Sequence, residues 1–403
     1  MVINDILVTG KHDPALMSFD HLMTQFITKH QVPGASLAVT RNRQLVYARG
    51  FGYADRKAKQ PVQPTSQFRI ASISKPITAV AIFQLVEQGK LKLTDSIFNI
   101  LRPEPFFEGH DRKLDPRLQQ VTILHCLQHS GGWDREASFD PMFQSVRIAQ
   151  SLGFEPPASA EHVIRFMMGK PLDFDPGSQY AYSNYGYCLL GRVVEATTNM
   201  PYEEYVKRHV LLPVGVGQMR LGRTLLEDRA SEEVLYYDER QRTGESIFAK
   251  NLGETVPAPY GAWYLEAMDS HGGWIASAID LVRVAAALDQ PTKSPLLKES
   301  SIKKMFSRPD GILGFDAQDQ PKNVYYACGW SVRTFPDKET INTWHTGSLD
   351  GTSTLLVRRH DGLNWAVLFN SRNGVNNQRL SAMIDSRLHA AANAVQQWPR
   401  GGQ

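Results

Sequence analysis

The chain has 403 residues, of which 42% are hydrophobic and 21% charged, an ordinary globular composition that excludes an intrinsically disordered protein. Its 44 Lys and Arg against 41 Asp and Glu give a formal charge of +3 and form no basic run, so nucleic acid is not an expected partner. The longest apolar runs, such as 79–83, are far shorter than the roughly 18 residues of a membrane-spanning helix, so no membrane span is expected.

The N-terminal residues show no basic region followed by an apolar stretch and a cleavage site, so the sequence predicts no export signal. This is compatible with a cytoplasmic protein, and with a periplasmic or secreted one if a leader has been removed. The three cysteines lie far apart without C-x-x-C spacing and are expected to be buried free thiols. His125 and His129 flank Cys126 at helical spacing, but no third ligand lies nearby in the sequence, so neither a metal nor another cofactor is expected.

The N-terminal part predicts an amphipathic helix and then a β-hairpin, at 15–30, 35–40 and 45–54. The middle of the chain predicts helices at 76–88, 186–196 and 201–210, the last with Pro201 at its first position. Segments rich in Pro, Gly and charge are expected to form long loops at 101–120, 150–160 and 236–262. Strand patterns return at 325–333, 341–346, 352–358 and 363–370, before a final helix at 377–396.

Both ends of the chain are thus rich in strands, and the connections between strands are too short for parallel crossovers. The expected fold class is α+β, with an antiparallel sheet flanked by the N- and C-terminal helices and a mainly helical domain beside it. The sheet domain is predicted to be discontinuous, formed by 15–70 and 263–403. Residues 71–262 would form the helical domain with its long loops, and residues 1–14 an N-terminal extension.

One Ser-x-x-Lys motif stands out as a candidate reactive site. The spacing puts a hydroxyl and an amine one helical turn apart, where the amine can accept the hydroxyl proton. The copies within 300–304 lie among several lysines, which are expected to be solvated and charged. Ser72 instead precedes an apolar helix that can desolvate Lys75 and favour its neutral form. The alternative for an isolated match is that Ser72 only caps the helix.

Two further triplets contain groups that could take part in the same chemistry. Of the 14 tyrosines, only Tyr182 begins a Tyr-x-Asn triplet, in which a phenol can move a proton and the amide of Asn184 can orient it. A second triplet, 345–347, is His-Thr-Gly and ends a predicted strand, where a glycine at the end of an edge strand would let a substrate approach. Alternatively, Tyr182 is a core aromatic, Asn184 a helix cap and His345 a hydrogen-bonded strand residue.

In this order and context the three motifs resemble the serine β-lactamase and penicillin-binding-protein superfamily. The Tyr-Ser-Asn form of the second motif is similar to the branch that contains class C β-lactamases, D-aminopeptidases, DD-peptidases and family VIII carboxylesterases. The resemblance extends from about 32–34 to 369–370 and includes 127–133, 272–284 and 325–333. It implies a β-lactamase/transpeptidase-like fold with the active site between a sheet domain and a helical domain.

The resemblance also implies roles for individual residues. Ser72 would be the acylated nucleophile, and Lys75 and Tyr182 would share the duties of general base and acid. The N–H groups of Ser72 and Ser348 would form the oxyanion hole. The residues that would bind or orient the substrate are Asn184, His345, Thr346, Gly347 and Ser348.

The third motif departs from the family pattern because His345 stands where relatives carry a lysine. Histidine has an unperturbed pKa of about 6.5, so a permanent cation for a substrate carboxylate is missing there. If His345 binds a carboxylate only when protonated, affinity for anionic substrates should fall between pH 5 and 8, and His345→Lys should shift preference towards β-lactams. His-Thr-Gly looks more like the D-aminopeptidase and esterase-like members.

The predicted function is a serine hydrolase that acts through a Ser72 acyl-enzyme. Its expected partners are small-molecule substrates: esters, amides of D-amino-acid peptides, or β-lactams. Two alternatives are a penicillin-sensing or penicillin-binding protein with little turnover, and a filament-forming lactamase-like protein. The sequence predicts no particular oligomeric state.

Overall fold

The structure is a computed structural model, and it describes most of the chain. The described residues are 2–3, with their backbone only, and 6–108, 113–238, 241–337 and 340–399. The loops predicted at 101–120 and 236–262 therefore lie partly outside the described residues.

Strands are concentrated at the two ends of the described chain, and helices in its middle. The strands are β1 (Val2–Ile3), β2 (Ile6–Thr9), β3 (Gly34–Arg41), β4 (Gln44–Asp55), β5 (Gln60–Pro61), β6 (Phe68–Arg69), β7 (Arg220–Leu221), β8 (Thr243–Glu245), β9 (Thr255–Pro257), β10 (Trp274–Ala276), β11 (Val324–Tyr326), β12 (Ser331–Thr334), β13 (Ile341–Leu349), β14 (Thr352–Arg358) and β15 (Leu363–Phe369). The α-helices are α1 (Met17–Lys29), α2 (Ser74–Glu87), α3 (Ile97–Leu101), α4 (Ile123–Leu127), α5 (Ser145–Leu152), α6 (Ala160–Met168), α7 (Asn184–Thr198), α8 (Tyr202–Val206), α9 (Ala278–Ala286), α10 (Glu299–Phe306) and α11 (Leu380–Asn393).

An antiparallel sheet forms the centre of the fold, in the order β1-β2-β4-β3-β15-β14-β13-β12-β11, with β5 paired to β4. The sheet closes through β3 and β15, which bring the two ends of the chain together with Val39 opposite Trp365. Both residues are fully buried on the face covered by α1 and α11. The predicted antiparallel sheet with flanking N- and C-terminal helices is therefore confirmed.

The opposite face of the sheet carries smaller side chains and packs against the helices of the middle of the chain. Ala38 and Ala366 lie opposite each other on neighbouring strands and belong to the larger apolar core, together with α9. Helix α2 is buried along almost its whole length, which explains why its sequence is apolar on every side. None of the helices in the described part of the chain is both long and apolar enough to cross a bilayer.

Arg69 connects the strand before α2 to the long segment that contains β8 and β9. Its guanidinium is fully buried and donates to the carbonyls of Pro259 (2.6 Å) and Arg223 (2.7 Å), with the Glu233 carboxylate 3.4 Å away. The guanidinium also lies 4.5 Å from the ring centroid of Tyr236. Since a buried ion needs both charge compensation and hydrogen bonds, this network holds the segment on the sheet.

Several predicted elements differ from the structure. The strand predicted at 325–333 is two strands, β11 and β12, because the chain turns at Gly329 with φ +83°. The loop predicted at 150–160 begins inside α5. Within the predicted N-terminal extension, residues 6–9 form strand β2, which pairs with β4 and is part of the sheet.

The helix predicted at 201–210 also differs in its geometry. Pro201 is the N-cap of α8 rather than its first residue, and α8 ends at Val206. The chain then continues as a π-helical turn over Lys207–Leu211. The sequence pattern that predicted this helix does not distinguish α-helical from π-helical hydrogen bonding.

We predict that Arg69→Met lowers the free energy of unfolding by roughly 3 to 5 kcal/mol, because it leaves the buried Glu233 carboxylate without its cation. The matched control is Arg220→Met, which removes a solvent-accessible ion pair with Glu232 and should cost at most about 1 kcal/mol. Urea denaturation of both variants measures the difference. Equal losses would show that the Arg69 network does not stabilise the fold.

Candidate active site

Ser72 lies in a tight turn, Ala71–Ile73, immediately before α2. The preceding residue, Ala71, has φ +48°, a left-handed conformation that is strained for a residue with a side chain. The hydroxyl of Thr354 on β14 donates to the Ile70 carbonyl (2.9 Å), and Ser74 donates to the Ala71 carbonyl (2.7 Å). These bonds fix the turn, so the Ser72 hydroxyl is held at the start of α2.

The amine of Lys75 is fully buried one helical turn after Ser72. Its Nζ lies 3.1 Å from Ser72 Oγ, 2.9 Å from Asn184 Oδ1 and 3.0 Å from the carbonyl oxygen of His271. Burial holds the pKa of Lys75 well below its usual range. A neutral amine has two N–H groups and one lone pair, so it can donate to Asn184 and His271 and accept the proton of Ser72.

Asn184 is held in place by a carboxylate on a neighbouring loop. Its Nδ2 donates to Asp140 Oδ2 (2.7 Å), so its Oδ1 must face the Lys75 amine. Ser183, rather than Asn184, is the N-cap of α7 and accepts from the N–H of Gly186. The carboxylate of Asp140 also acts on Lys75 through space and raises its pKa, against the larger effect of burial.

The ring of Tyr182 lies over the same amine, with Lys75 Nζ 4.7 Å from its centroid. The Arg135 guanidinium lies 5.0 Å from the centroid of the same ring. Burial raises the pKa of Tyr182, and a hydrogen bond with the Ser72 hydroxyl opposes part of that rise. Tyr182 is therefore a protonated phenol at neutral pH, within hydrogen-bond reach of Ser72.

Strand β13 forms the opposite wall, and the third triplet lies inside it. Strand β12 pairs with β13 only as far as Trp344, so residues 345–349 have an open edge on that side. Leu349 on β13 and Thr352 on β14 flank the two-residue turn 350–351 and therefore form a hydrogen-bonded pair. Because backbone N–H groups point alternately to the two sides of a strand, those of Thr346 and Ser348 point away from β14, to the open edge.

Gly347 has a different role from the one predicted for it. It does not end the strand, and it is buried rather than open to a substrate. A Cβ at this position would lie 2.1 Å from the Ile70 carbonyl oxygen and 2.2 Å from Thr354 Oγ1. The glycine is needed because β13 packs directly against the backbone that leads to Ser72.

His345 is buried and uncharged. Its Nδ1 donates to the Thr346 carbonyl (2.7 Å), which requires a proton on that nitrogen, and its Nε2 accepts from the Tyr326 hydroxyl (3.0 Å). Burial, together with the nearby Lys75 amine, lowers the pKa of His345 to about 3. The expectation that its charge changes between pH 5 and 8 is therefore wrong, because it is neutral throughout that range.

These residues surround a cleft of about 290 Å³ that contains no carboxylate among its described lining residues. The lining residues are Ser72, Arg135, Tyr180, Tyr182, Tyr326, Ser331, His345, Thr346, Ser348 and Arg379. The Arg379 guanidinium has no hydrogen-bond or ion-pair partner among the described residues, whereas Arg372 nearby donates to Ser348 Oγ and Asp350.

A larger cavity of about 540 Å³ lies near α10 and β14, away from the three motifs. In the described part of the chain, no group of three or more His, Cys, Asp or Glu is placed to bind a metal ion.

A protein-family model described as Beta-lactamase matches residues 19–387. The chain belongs to the β-lactamase family. Among its curated relatives, Penicillin-binding protein 4* of Bacillus subtilis (strain 168) is 29% identical over 350 residues, which are 85% of this chain and 69% of that protein. Protein flp of Staphylococcus aureus (strain MW2) is 24% identical over 341 residues, and this chain spans only 59% of its length.

Solved structures show the same β-lactamase-family fold. The D-amino acid amidase from Ochrobactrum anthropi SV3, complexed with D-phenylalanine, has a TM-score of 0.69 and 19% identity. The comparison covers 95% of this chain and 100% of that one. At this identity the similarity concerns the fold, and family membership supports a hydrolase without defining its substrate.

The structure brings the residues named from the sequence to one place in this β-lactamase-family chain. Ser72, Lys75 and Asn184 are hydrogen-bonded in a chain, with Tyr182 on one side, and His345, Thr346 and Ser348 line the opposite wall. Gly347 shapes the wall without lining the cleft.

Asp140 and the two arginines of the cleft, Arg135 and Arg379, were not predicted from the sequence. Asp140 precedes a proline and N-caps the turn Pro141–Phe143. The sequence could therefore predict Asp140 as a cap, but it contains nothing that predicts a contact with Asn184. The arginines lie more than 30 residues from each of the three motifs in the sequence, so only the tertiary structure brings them to the cleft.

We predict that Asp140→Asn extends the reaction of Ser72 to lower pH. The Asp140 carboxylate raises the pKa of Lys75, so its removal lowers that pKa further and keeps the amine neutral in more acidic solution. The measurement is the pH dependence of Ser72 acylation by p-nitrophenyl acetate, followed by intact mass. Asp134→Asn, in the same loop, is the control and should not change the pH below which acylation slows. If that pH is unchanged or higher in Asp140→Asn, Asp140 does not have this role.

Proposed function

We propose that the protein is a serine hydrolase that works through an acyl-enzyme at Ser72. The observation that supports this most strongly is the Lys75 amine, which is buried, has a lowered pKa and lies 3.1 Å from the Ser72 hydroxyl. A neutral amine at this distance can take the hydroxyl proton as the oxygen attacks a carbonyl carbon. A purely structural lysine would be expected at the surface or beside a carboxylate.

The remaining groups of the cleft support the same reaction. Attack by Ser72 Oγ breaks the bond to the leaving group, which needs a proton, and the Tyr182 phenol is in reach of Ser72 to supply it. Lys75 then returns a proton to Tyr182. The neutral amine can now take a proton from the water that attacks the acyl-enzyme, and the phenol can protonate Ser72 Oγ as the acyl group leaves. The N–H groups of Ser72 and Ser348 are the candidate donors to the carbonyl oxygen, and each such donor lowers the barrier by about 3 kcal/mol.

We infer that the substrate is a small ester, an amide of a D-amino-acid peptide or a β-lactam, and that the cleft favours the members of these classes that carry an anionic group. His345 is neutral and cannot attract that group, but Arg379 lines the same cleft and has no partner among the described residues. Arg135 carries a second positive charge on the Tyr182 side, which an ion pair with Glu136 (3.2 Å) partly offsets. Binding of an anion would therefore depend on arginine, which stays charged at every physiological pH.

The primary test compares the steady-state turnover of p-nitrophenyl butyrate, nitrocefin and D-alanyl p-nitroanilide by the wild type and by Ser72→Ala. The expected result is turnover of at least one substrate and its loss in Ser72→Ala, by a factor of roughly 10³ or more. Turnover that survives in Ser72→Ala would refute the acyl-enzyme.

The alternative function is a penicillin-binding protein with little turnover. The similarity to the Bacillus penicillin-binding protein is the observation that favours it. It predicts that nitrocefin adds to Ser72 stoichiometrically, visible by intact mass, and that a burst of product is followed by no steady turnover of any of the three substrates.

We predict that Arg379→Gln raises the KM of anionic substrates about tenfold to a hundredfold and leaves the KM of neutral esters unchanged, since a charge-assisted hydrogen bond contributes roughly 1.5 to 3 kcal/mol. In the wild type, the ratio of the KM for an anionic substrate to the KM for a neutral ester should be constant from pH 5 to 8, because His345 does not titrate there. Arg387→Gln, on α11 beside Phe26, is the control. An unchanged KM for anionic substrates in Arg379→Gln would exclude this assignment.

A further inference from the structure

His129 lies behind Tyr182, on the side of the ring away from the surface. It is buried, and its ring centroid is 4.3 Å from that of Tyr182 and 4.5 Å from that of Tyr326. Tyr326 in turn donates to His345. The His129 ring therefore contacts one aromatic residue from each wall of the cleft, and these two tyrosine rings also contact each other, with their centroids 6.5 Å apart.

His129 also binds the backbone on both sides of Tyr182. Its carbonyl oxygen accepts from the N–H of Ala181 (2.9 Å), and its Nδ1 accepts from the N–H of Ser183 (3.2 Å). One residue thus binds the N–H groups of the residues immediately before and after the tyrosine. The carbonyl oxygen of the next residue, Ser130, accepts a hydrogen bond from the N–H of Gly177 (2.8 Å), in the segment that leads to Tyr182.

The tautomer of His129 follows from these contacts. Because Nδ1 accepts a backbone N–H, it carries no proton, and the proton of the neutral ring is on Nε2. Nε2 has no hydrogen-bond partner among the described residues, and the rings in contact with His129 are those of tyrosines. The imidazole ring is therefore held by the Ser183 N–H and by packing against these tyrosine rings.

The backbone of His129 is strained as well. Its φ is +57°, in the left-handed region that asparagine and glycine adopt most readily. The turn at His129 is what directs both its carbonyl oxygen and its ring to the backbone beside Tyr182.

We propose that His129 is a positioning residue that holds the Tyr182 hydroxyl at Ser72, an inference that rests on the proposed acyl-enzyme reaction. The hydrogen bonds of the His129 Nδ1 and carbonyl oxygen fix the backbone from which the Tyr182 side chain extends. The imidazole ring limits how far the phenol can tilt away from the Ser72 hydroxyl. His129 itself touches neither Ser72 nor the cleft, since it is absent from the cleft lining.

The variant that tests this separately from folding is His129→Asn. Asparagine accepts the Ser183 N–H in place of Nδ1 and tolerates the left-handed backbone, so only the ring is lost. The rate of Ser72 acylation should fall about tenfold to a hundredfold while KM changes less than about twofold, because a displacement of a reacting group by about 1 Å has an effect of this size. His129→Gln, which fills more of the space, is the second variant and carries the same expectation.

The matched control is His125→Asn. His125 accepts a backbone N–H at Nδ1 in the same way, from Thr122 at 3.3 Å, but it lies outside the cleft lining. Its variant should lose stability without a change in the acylation rate of the folded protein.

The decisive measurement is a double-mutant cycle with Tyr182→Phe, with acylation followed by intact mass. If His129 acts through the Tyr182 hydroxyl, His129→Asn should reduce the residual rate less than about twofold in the Tyr182→Phe background. A loss of the same factor in both backgrounds, an unchanged rate in the single variants, or an equal loss in His125→Asn would overturn the positioning role. A wild type that takes no acyl group at Ser72 would instead overturn the proposed function, and the positioning role with it.

Discussion

The cleft is organised around an amine that is fully buried and that, among the described residues, has no carboxylate within hydrogen-bond distance. The three groups around Lys75 Nζ are a hydroxyl, an amide oxygen and a peptide oxygen, and all three accept or share a proton without adding a negative charge. The Asp140 carboxylate is kept one residue away, behind Asn184. A direct ion pair would hold the proton on the amine, so the amide that separates these charges makes Lys75 available as a base.

The sequence allowed the fold class and the main motifs to be predicted because both depend on local patterns. Strand β14 has the predicted bounds, 352–358, since a run of β-favouring residues between two turns defines it. The break between β11 and β12 and the start of α5 were not predicted, because each depends on a single turn or cap that tertiary contacts select. The residues of the three motifs were predicted to lie together because each motif is a short local pattern. The contact of Asp140 with Asn184 was not predicted, because it depends on the tertiary structure.

The distribution of charge in the cleft also depends on the tertiary structure. A positive charge on β13 would stand within the hydrogen-bonded wall, beside the buried Lys75 amine, and would repel the proton that Lys75 must accept. With His345 neutral, the positive charge comes from Arg379 and Arg135 at the solvent-accessible rim. Charges at that position are screened by salt, so attraction of an anionic ligand should weaken as ionic strength rises, while the reaction at Ser72 should not.

The pairing of β3 with β15 places the first long strand of the chain against the last one, about 320 residues later. During synthesis at about 5 to 20 residues per second, β3 therefore waits roughly 15 to 60 s before its partner leaves the ribosome. During that time the hairpin β3–β4 exposes one long unpaired edge of Leu, Val and Ala, a surface on which nascent chains associate with one another. The reliance of the sheet on its final strand thus makes the nascent protein a natural client for a chaperone until translation has ended.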